Sequence, residues 1–254
     1  MENFNPKLKF FLAKSALMHF YRNQYWTSDE IHILRDFFGA NNSEKMWKLK
    51  MRLLCEENND MLVGAVVADA NSEEQIFLHK KYRLNWSFVK IGMDLHIHPN
   101  GLQRWRDKFL AEIASLLEYN LPTTDIFSRN KVEALIYVLE RTIAFHEEYG
   151  KFDEKVLAEL KFKLGAYQNL LFAIKQILAL QSQRLGYRII RAKILNPHMT
   201  VGELEEYVGT SHTTIDNYIH SFQKKFFQTK FGFGVGQTRL QNNQGQNFKS
   251  AYVG

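Results

Sequence analysis

The sequence has one cysteine, four prolines and no long uncharged apolar run. The lone thiol, Cys55, excludes an intramolecular disulfide framework and is expected of a protein in the reducing cytoplasm. No apolar segment reaches the length of about 18 residues that reads as a membrane-spanning helix, so no membrane contact is expected. The opening MENFNPKLKF carries charges among its apolar residues, which is not the pattern of a signal peptide. No glycine-rich loop stands between a strand and a helix. GFGVG, near the C-terminus, has neither flank of a phosphate-binding turn. With so few prolines, and most of its 14 glycines in the last third, the chain has long stretches with nothing to break a helix. We expect an all-α fold.

What is present is a soluble composition with a basic excess. Apolar residues make up 45% and charged residues 24%, and 254 residues suffice for one large core or two small ones. The formal charge of +6 suits nucleic acid or another polyanion as partner without selecting one.

Apolar spacing predicts a helix over residues 6 to 22, with Leu8, Phe11, Leu12, Ala16 and Phe20 on one face. Thr27 and Glu30 have capping-box spacing ahead of a second helix through Ile31, Leu34 and Phe38. Ser43 is placed to cap a third, with Met46, Trp47, Met51 and Leu54. A fourth, near Asp60 to Ala70, is mostly apolar and should be buried. Trp26, Thr27, Glu30 and Leu34 resemble the first helix of Myb-like repeats, although ordinary helical packing explains them as well. The turn-formers in LPTTDIFSRN, from Leu121 to Asn130, suggest an interdomain joint.

Beyond it a helical pair is expected. Val132, Leu135, Ile136, Leu139 and Ile143 line the first member, which ends near Gly150. Asp153 caps the second, whose stripe is Val156, Leu160, Leu164, Tyr167, Leu171, Ile174 and Leu178. Such a stripe must be covered, by the partner helix or by a second copy in a homodimer. From Thr229 the chain has five glycines, many Gln and Asn, three basic residues and no acid, which predicts a flexible basic tail.

Two segments read as helix, tight turn and helix. In the second, TVGELEEYVGTSHTTIDNYIHSFQKKF (Thr200 to Phe226), Leu204, Val208, Thr210 and Ile215 take the core positions. Gly209 supplies the turn and Ser211 caps the next helix, which leaves His212, Thr213, Thr214, Asn217, Tyr218 and His220 for outward faces. An opening helix over Leu185 to Leu195 points Ile189, Ile190 and Ile194 inward, with Arg184, Arg188, Arg191 and Lys193 towards solvent. Over 183–230 there are seven basic residues against four acidic ones, and three of the acids (Glu203, Glu205, Glu206) fall in the supporting helix. Asn217 is suited to pair with adenine, and Lys224 and Lys225 to hold phosphates. A charge-decorated surface helix is the blander explanation.

In the first segment, Ile91, Leu95, Ile97, Leu102 and Trp105 keep core spacing, and Gly92 sits where two helices cross closely. Helices are expected over Glu74–Tyr82 and Trp86–Leu95, then a third from Pro99 after a turn at His96 to His98. Asn100, Gln103, Arg104, Arg106 and Lys108 would be exposed on it, types that contact base edges and phosphates. In apolar spacing and helix lengths, Glu74 to Leu117 resembles region four of bacterial sigma factors and related phage and plasmid regulators. It differs at His98, where Ser or Thr is usual, and at Gly101, where a Thr-like residue is usual. The resemblance implies double-stranded DNA as partner and RNA polymerase as a further one. A helical repeat with no DNA role has the same spacing.

Asp94, His96 and His98 imitate an amidohydrolase metal strand, but no strands are predicted to bring further ligands, so no metal site is expected. Neither a catalytic site nor a cofactor is expected. The sequence therefore predicts two helix-turn-helix domains joined by a long helical hairpin. Its segments are an N-terminal helical region (1–71), the first helix-turn-helix (72–120), a linker and hairpin suited to dimerisation (121–182), the second helix-turn-helix (183–228) and the tail (229–254). The expected function is sequence-specific DNA binding in transcription regulation. Its rivals are a sigma-like factor, a replication, partition or packaging initiator, and a helical protein-interaction module.

Overall fold

A computed structural model describes residues 6–22, 43–149, 153–180 and 182–230. Among them all regular structure is helical and no strand occurs. The order is α1 (Pro6–Arg22), α2 (Ser43–Asp69), α3 (Ser72–Leu78), a π-helical turn (His79–Arg83), α4 (Phe88–Leu95), α5 (Pro99–Leu117), a short 3-10 turn (Thr123–Asp125), α6 (Arg129–Tyr149), α7 (Glu154–Ala179), α8 (Leu185–Leu195), α9 (Val201–Val208) and α10 (His212–Lys230). No described helix is long and apolar enough to cross a membrane. The expected helix at Thr27–Phe38, the Myb-like residues Trp26, Thr27, Glu30 and Leu34, and the tail beyond Lys230 lie outside the described residues. So do the side chains of Met46, Trp47, Lys48, Lys50 and Arg52.

The chain divides into two compact units. One comprises Met1–Pro122 and Asn130–Tyr167, the other Thr123–Arg129 and Gln168–Gly254. In the first unit α1 packs against α2, α5 and the π-helical turn. Its bounds match the sequence expectation and Ala16 is buried as expected, but most of the bulky residues expected on its inner face are not. Ala13, Ala16 and Leu17 are buried, while Leu8, Phe11 and Leu12 are exposed, Phe11 at 64%. Small residues let the helix axes approach closely at the buried positions, so the bulkier apolar side chains fall outside that contact.

α2 is one helix of 27 residues where the sequence suggested two. The polar run from Glu56 to Asp60 contains neither proline nor glycine, and helix continues through it. Asn58 turns inward there and its amide donates to the Thr142 hydroxyl of α6 at 3.2 Å. At the far end of α2, Lys131 of α6 is 4% exposed. Its ammonium lies 3.0 Å from Glu112 and 3.9 Å from Asp69, and Asn130 donates to Asp69 at 2.8 Å. A buried ammonium is tolerable only with such partners, so this polar knot fixes where α2, α5 and α6 meet.

Val132, Leu135, Ile136, Leu139 and Ile143 of α6 are buried as their spacing implied. On α7 the buried set is Leu160, Ala166, Tyr167, Leu170, Ala173, Ile174 and Ile177, with Val156, Leu164, Leu171 and Leu178 half-buried. Asp153 precedes α7 and accepts the Lys155 N–H at 3.1 Å.

The chain passes from the first unit to the second and back within LPTTDIFSRN. Leu121, Ile126, Phe127 and Ser128 are buried. The Tyr167 hydroxyl accepts the Leu121 N–H at 3.0 Å and donates to the Tyr119 carbonyl at 2.9 Å. Burial pushes that phenol up to about 12. Tyr167→Phe would leave a buried N–H and a half-buried carbonyl without this partner. We expect a loss of about 1–3 kcal/mol in urea unfolding. An unchanged midpoint would show that the hydroxyl does not hold this corner.

Candidate nucleic-acid interface

The second unit contains three helices around a small apolar centre. Ile189 and Ala192 of α8, Leu204 and Val208 of α9 and Ile215 of α10 form the buried cluster, with Leu185, Met199, Val201, Tyr218 and Ile219 packed around it. α9 is set at both ends. At its start the Thr200 hydroxyl accepts the Glu203 N–H at 3.2 Å. The Glu203 carboxylate accepts the Thr200 N–H at 2.6 Å and its hydroxyl at 2.9 Å, a complete capping box. Those bonds hold the Glu203 carboxyl below its ordinary range. At its end Gly209 adopts φ 72° and ψ 45°, and its N–H bonds to the Glu205 carbonyl. Glycine takes this left-handed conformation without steric cost, which lets the chain reverse within two residues.

α10 begins at His212 after Ser211, whose carbonyl accepts the Ile215 N–H. The Ser211 hydroxyl pairs with the Thr214 hydroxyl at 2.9 Å, while Glu205 accepts the His212 N–H at 3.2 Å. Glu205 therefore satisfies a donor at the start of α10, a role the sequence did not suggest. The His212 imidazole is 3.7 Å from Glu205 and 3.5 Å from Asp216, drawn to carboxylates.

Tyr218 departs most from expectation. Its ring packs on the apolar cluster above Gly186. A Cβ at residue 186 would lie 2.6 Å from the Tyr218 ring. Gly186 is thus the hollow that receives Tyr218, and the ring is a packing element. Two cations expected in solvent are likewise engaged. Arg188 donates to the Val208 carbonyl at 3.1 Å, covering the end of α9. Lys193 donates to the carbonyls of Pro197, at 2.9 Å, and Met199, and burial lowers its pKa.

With Ile215, Tyr218, Ile219 and Phe222 turned inward, the opposite face of α10 carries Thr213, Asn217, His220 and Lys224, all exposed. Their spacing of four, three and four residues puts them in one line along the helix. Thr214 is half-buried, and the Lys225 side chain lies outside the described residues.

The first unit has a related local build. His96 ends α4 at φ 56°, and a Cβ on Gly92 would lie 2.6 Å from the Ile97 carbonyl oxygen, so only glycine fits the close approach. His98 caps α5 through Nδ1, which accepts the Asn100 N–H at 3.2 Å and does the work usual for Ser or Thr. Asn100, Gln103 and Arg104 are exposed. Arg106 and Lys108 are committed within the unit. Arg106 bonds Asp107 at 2.8 Å and is only half-exposed. Lys108 lies 2.9 Å from the Glu74 carboxylate, itself 6% exposed. Asp94 is ion-paired to Lys80. Among the described residues no group of three His, Cys, Asp or Glu is placed to hold a metal ion.

No family model, no curated protein and no solved structure matches this chain.

The Gly186 hollow is open to a stability test. Gly186→Ala should destabilise by about 1–3 kcal/mol, because the new methyl overpacks against Tyr218. Gly165→Ala on α7, where a Cβ meets nothing within 4 Å, should instead stabilise by about 0.5–1 kcal/mol through helix propensity. Equal urea midpoints for the two variants would contradict the packing of Tyr218.

Proposed function

We propose that the protein is a cytoplasmic, sequence-specific DNA-binding transcription regulator whose two units act as helix-turn-helix modules. The observation that carries this reading is the line Thr213, Asn217, His220 and Lys224 on the outer face of α10, opposite the packed residues and just after the left-handed turn at Gly209. A helix with that polar face and a shorter helix behind it has the dimensions to enter a major groove. Asn217 offers the donor and acceptor pair that reads adenine, and Thr213 can read a base edge or a thymine methyl. Lys224 and Lys225 neutralise phosphates.

In the first unit α5 plays the same part, with Asn100, Gln103 and Arg104 as the groove-facing residues. The sigma-region-four resemblance of 74–117 supports this, and RNA polymerase is the further partner it brings in. Ser211 and Thr214 serve the start of α10. His212, Tyr218, Arg106 and Lys108 have structural partners and are not retained as base-reading residues. A second reading, a helical protein-interaction module without DNA contact, is favoured by the exposed Leu8, Phe10, Phe11 and Leu12 of α1.

Selection of bound sequences from random duplexes at moderate salt tests the proposal. We expect one enriched motif with the full-length protein and loss of preference at one or two positions with T213A/N217A, about 1–3 kcal/mol per base pair. K224E/K225E should weaken binding to all duplexes alike and flatten its salt dependence. Absence of any enriched motif would overturn the proposal in favour of the interaction module.

A further inference from the structure

The cations of the first unit do not gather on the outer face of α5. Four of them, Lys80, Lys81, Lys90 and Arg106, gather at the entrance to α4. The π-helical turn bonds Leu84 N–H to the His79 carbonyl at 3.2 Å, and the next loop bonds Trp86 N–H to the Lys80 carbonyl at 3.0 Å. This widened turn brings Lys80 and Lys81 beside the aromatic pair Trp86 and Phe88. Such turns recur at functional sites. The Lys90 ammonium lies 3.8 Å from the centre of the Trp86 ring and that of Lys80 5.0 Å from the same ring. Lys81 lies 4.5 Å from the Phe88 ring and the Arg106 guanidinium 5.6 Å from it. Phe88 in turn stacks on the buried Phe77, whose other neighbour is Trp105, so the platform is rigid.

Four cations thus share two rings, with Asp94 serving Lys80 and Asp107 serving Arg106. Among the described residues neither Lys81 nor Lys90 pairs with a carboxylate; Lys81 donates only to the Trp86 carbonyl, at 3.1 Å. Burial first, and then the charges of Lys14 on α1 and Arg106, make the Lys81 ammonium harder to keep. Lys81, held against the like charges of Lys14 and Arg106, and Lys90 have their side chains already fixed by ring faces, an arrangement for an anion that the described residues do not supply. The Trp86 ring is taken up by Lys80 and Lys90, which leaves it poorly placed to stack a nucleobase and favours phosphate as the ligand.

We propose that Lys80, Lys81 and Lys90, seated on Trp86 and Phe88, form the phosphate-anchoring site of the first unit and hold the duplex backbone beside α5. This rests on the DNA-binding reading. It supplies the phosphate contacts that Arg106 and Lys108, engaged with Asp107 and Glu74, do not.

Fluorescence anisotropy of the full-length protein with a duplex, repeated across salt concentrations, tests it. K81Q/K90Q should reduce the slope of log affinity against log salt by about 2, K90Q alone by about 1, and K108Q should leave it unchanged. Lys90 is exposed, so K90Q reports on binding even where the double variant fails to fold. An unchanged slope for K90Q and K81Q/K90Q, with a reduced slope for K224E, would overturn this site while leaving the DNA-binding reading intact. Wild-type protein with no salt-dependent duplex binding would overturn both. Equal affinity for poly-glutamate, with the same sensitivity to K90Q, would overturn phosphate as the ligand and point to an acidic protein partner.

Discussion

A missing side chain and an aromatic ring fix the geometry of the second unit. Gly186 leaves a hollow on α8, and Tyr218 of α10 fills it. Ile215 enters the apolar cluster one turn earlier, and Phe222 stacks on Phe127 at 5.2 Å one turn later. Together these contacts set the rotation of α10 about its own axis. Once that rotation is set, Thr213, Asn217, His220 and Lys224 must face outward, because they lie on the opposite side of the same helix. Gly92 acts comparably in the first unit, where its lack of a Cβ lets the Ile97 carbonyl approach and α5 start directly after the turn. Both candidate faces therefore depend on close backbone approaches that side chains larger than hydrogen would prevent.

How much of this was legible depends on which physical signal each residue carried. Periodicity and caps are local, and they predicted α1, α8 and the start of α5 at Pro99 with the bounds found. Gly209 carried its left-handed turn openly, and Gly92 its close crossing. The inner face of α1 was legible only at Ala16, since small Ala13 joins it in the contact and bulkier Leu8, Phe11 and Leu12 do not. Nor was the continuity of α2, whose polar run interrupts the apolar stripe without breaking the helix and turns Asn58 inward to Thr142, a residue 84 positions away. Tyr218 looked like a surface aromatic because the hollow that receives it lies on a different helix.

The cations carry the same lesson. Long basic side chains have apolar stems, and their heads can reach a carbonyl or a carboxylate several residues away. Arg188, Lys193, Lys108 and Lys131 all do so, each closing a helix end or a buried acid. A charge count over the sequence treats them as surface charge, yet they are internal clamps. The distinction moves the positive character of the first unit from α5 towards the entrance of α4. Position in the fold, more than formal charge, decides which lysines remain for a partner.

The outward face of α10 is the central element of this account, and site-directed cross-linking addresses it most directly. A photoreactive residue would replace Thr213, Asn217 or, as a control, the exposed Tyr207 of α9, in full-length protein bound to a selected duplex. Cross-links to bases are expected from positions 213 and 217 and none from 207. Base cross-links from 207, with none from 213 and 217, would contradict it.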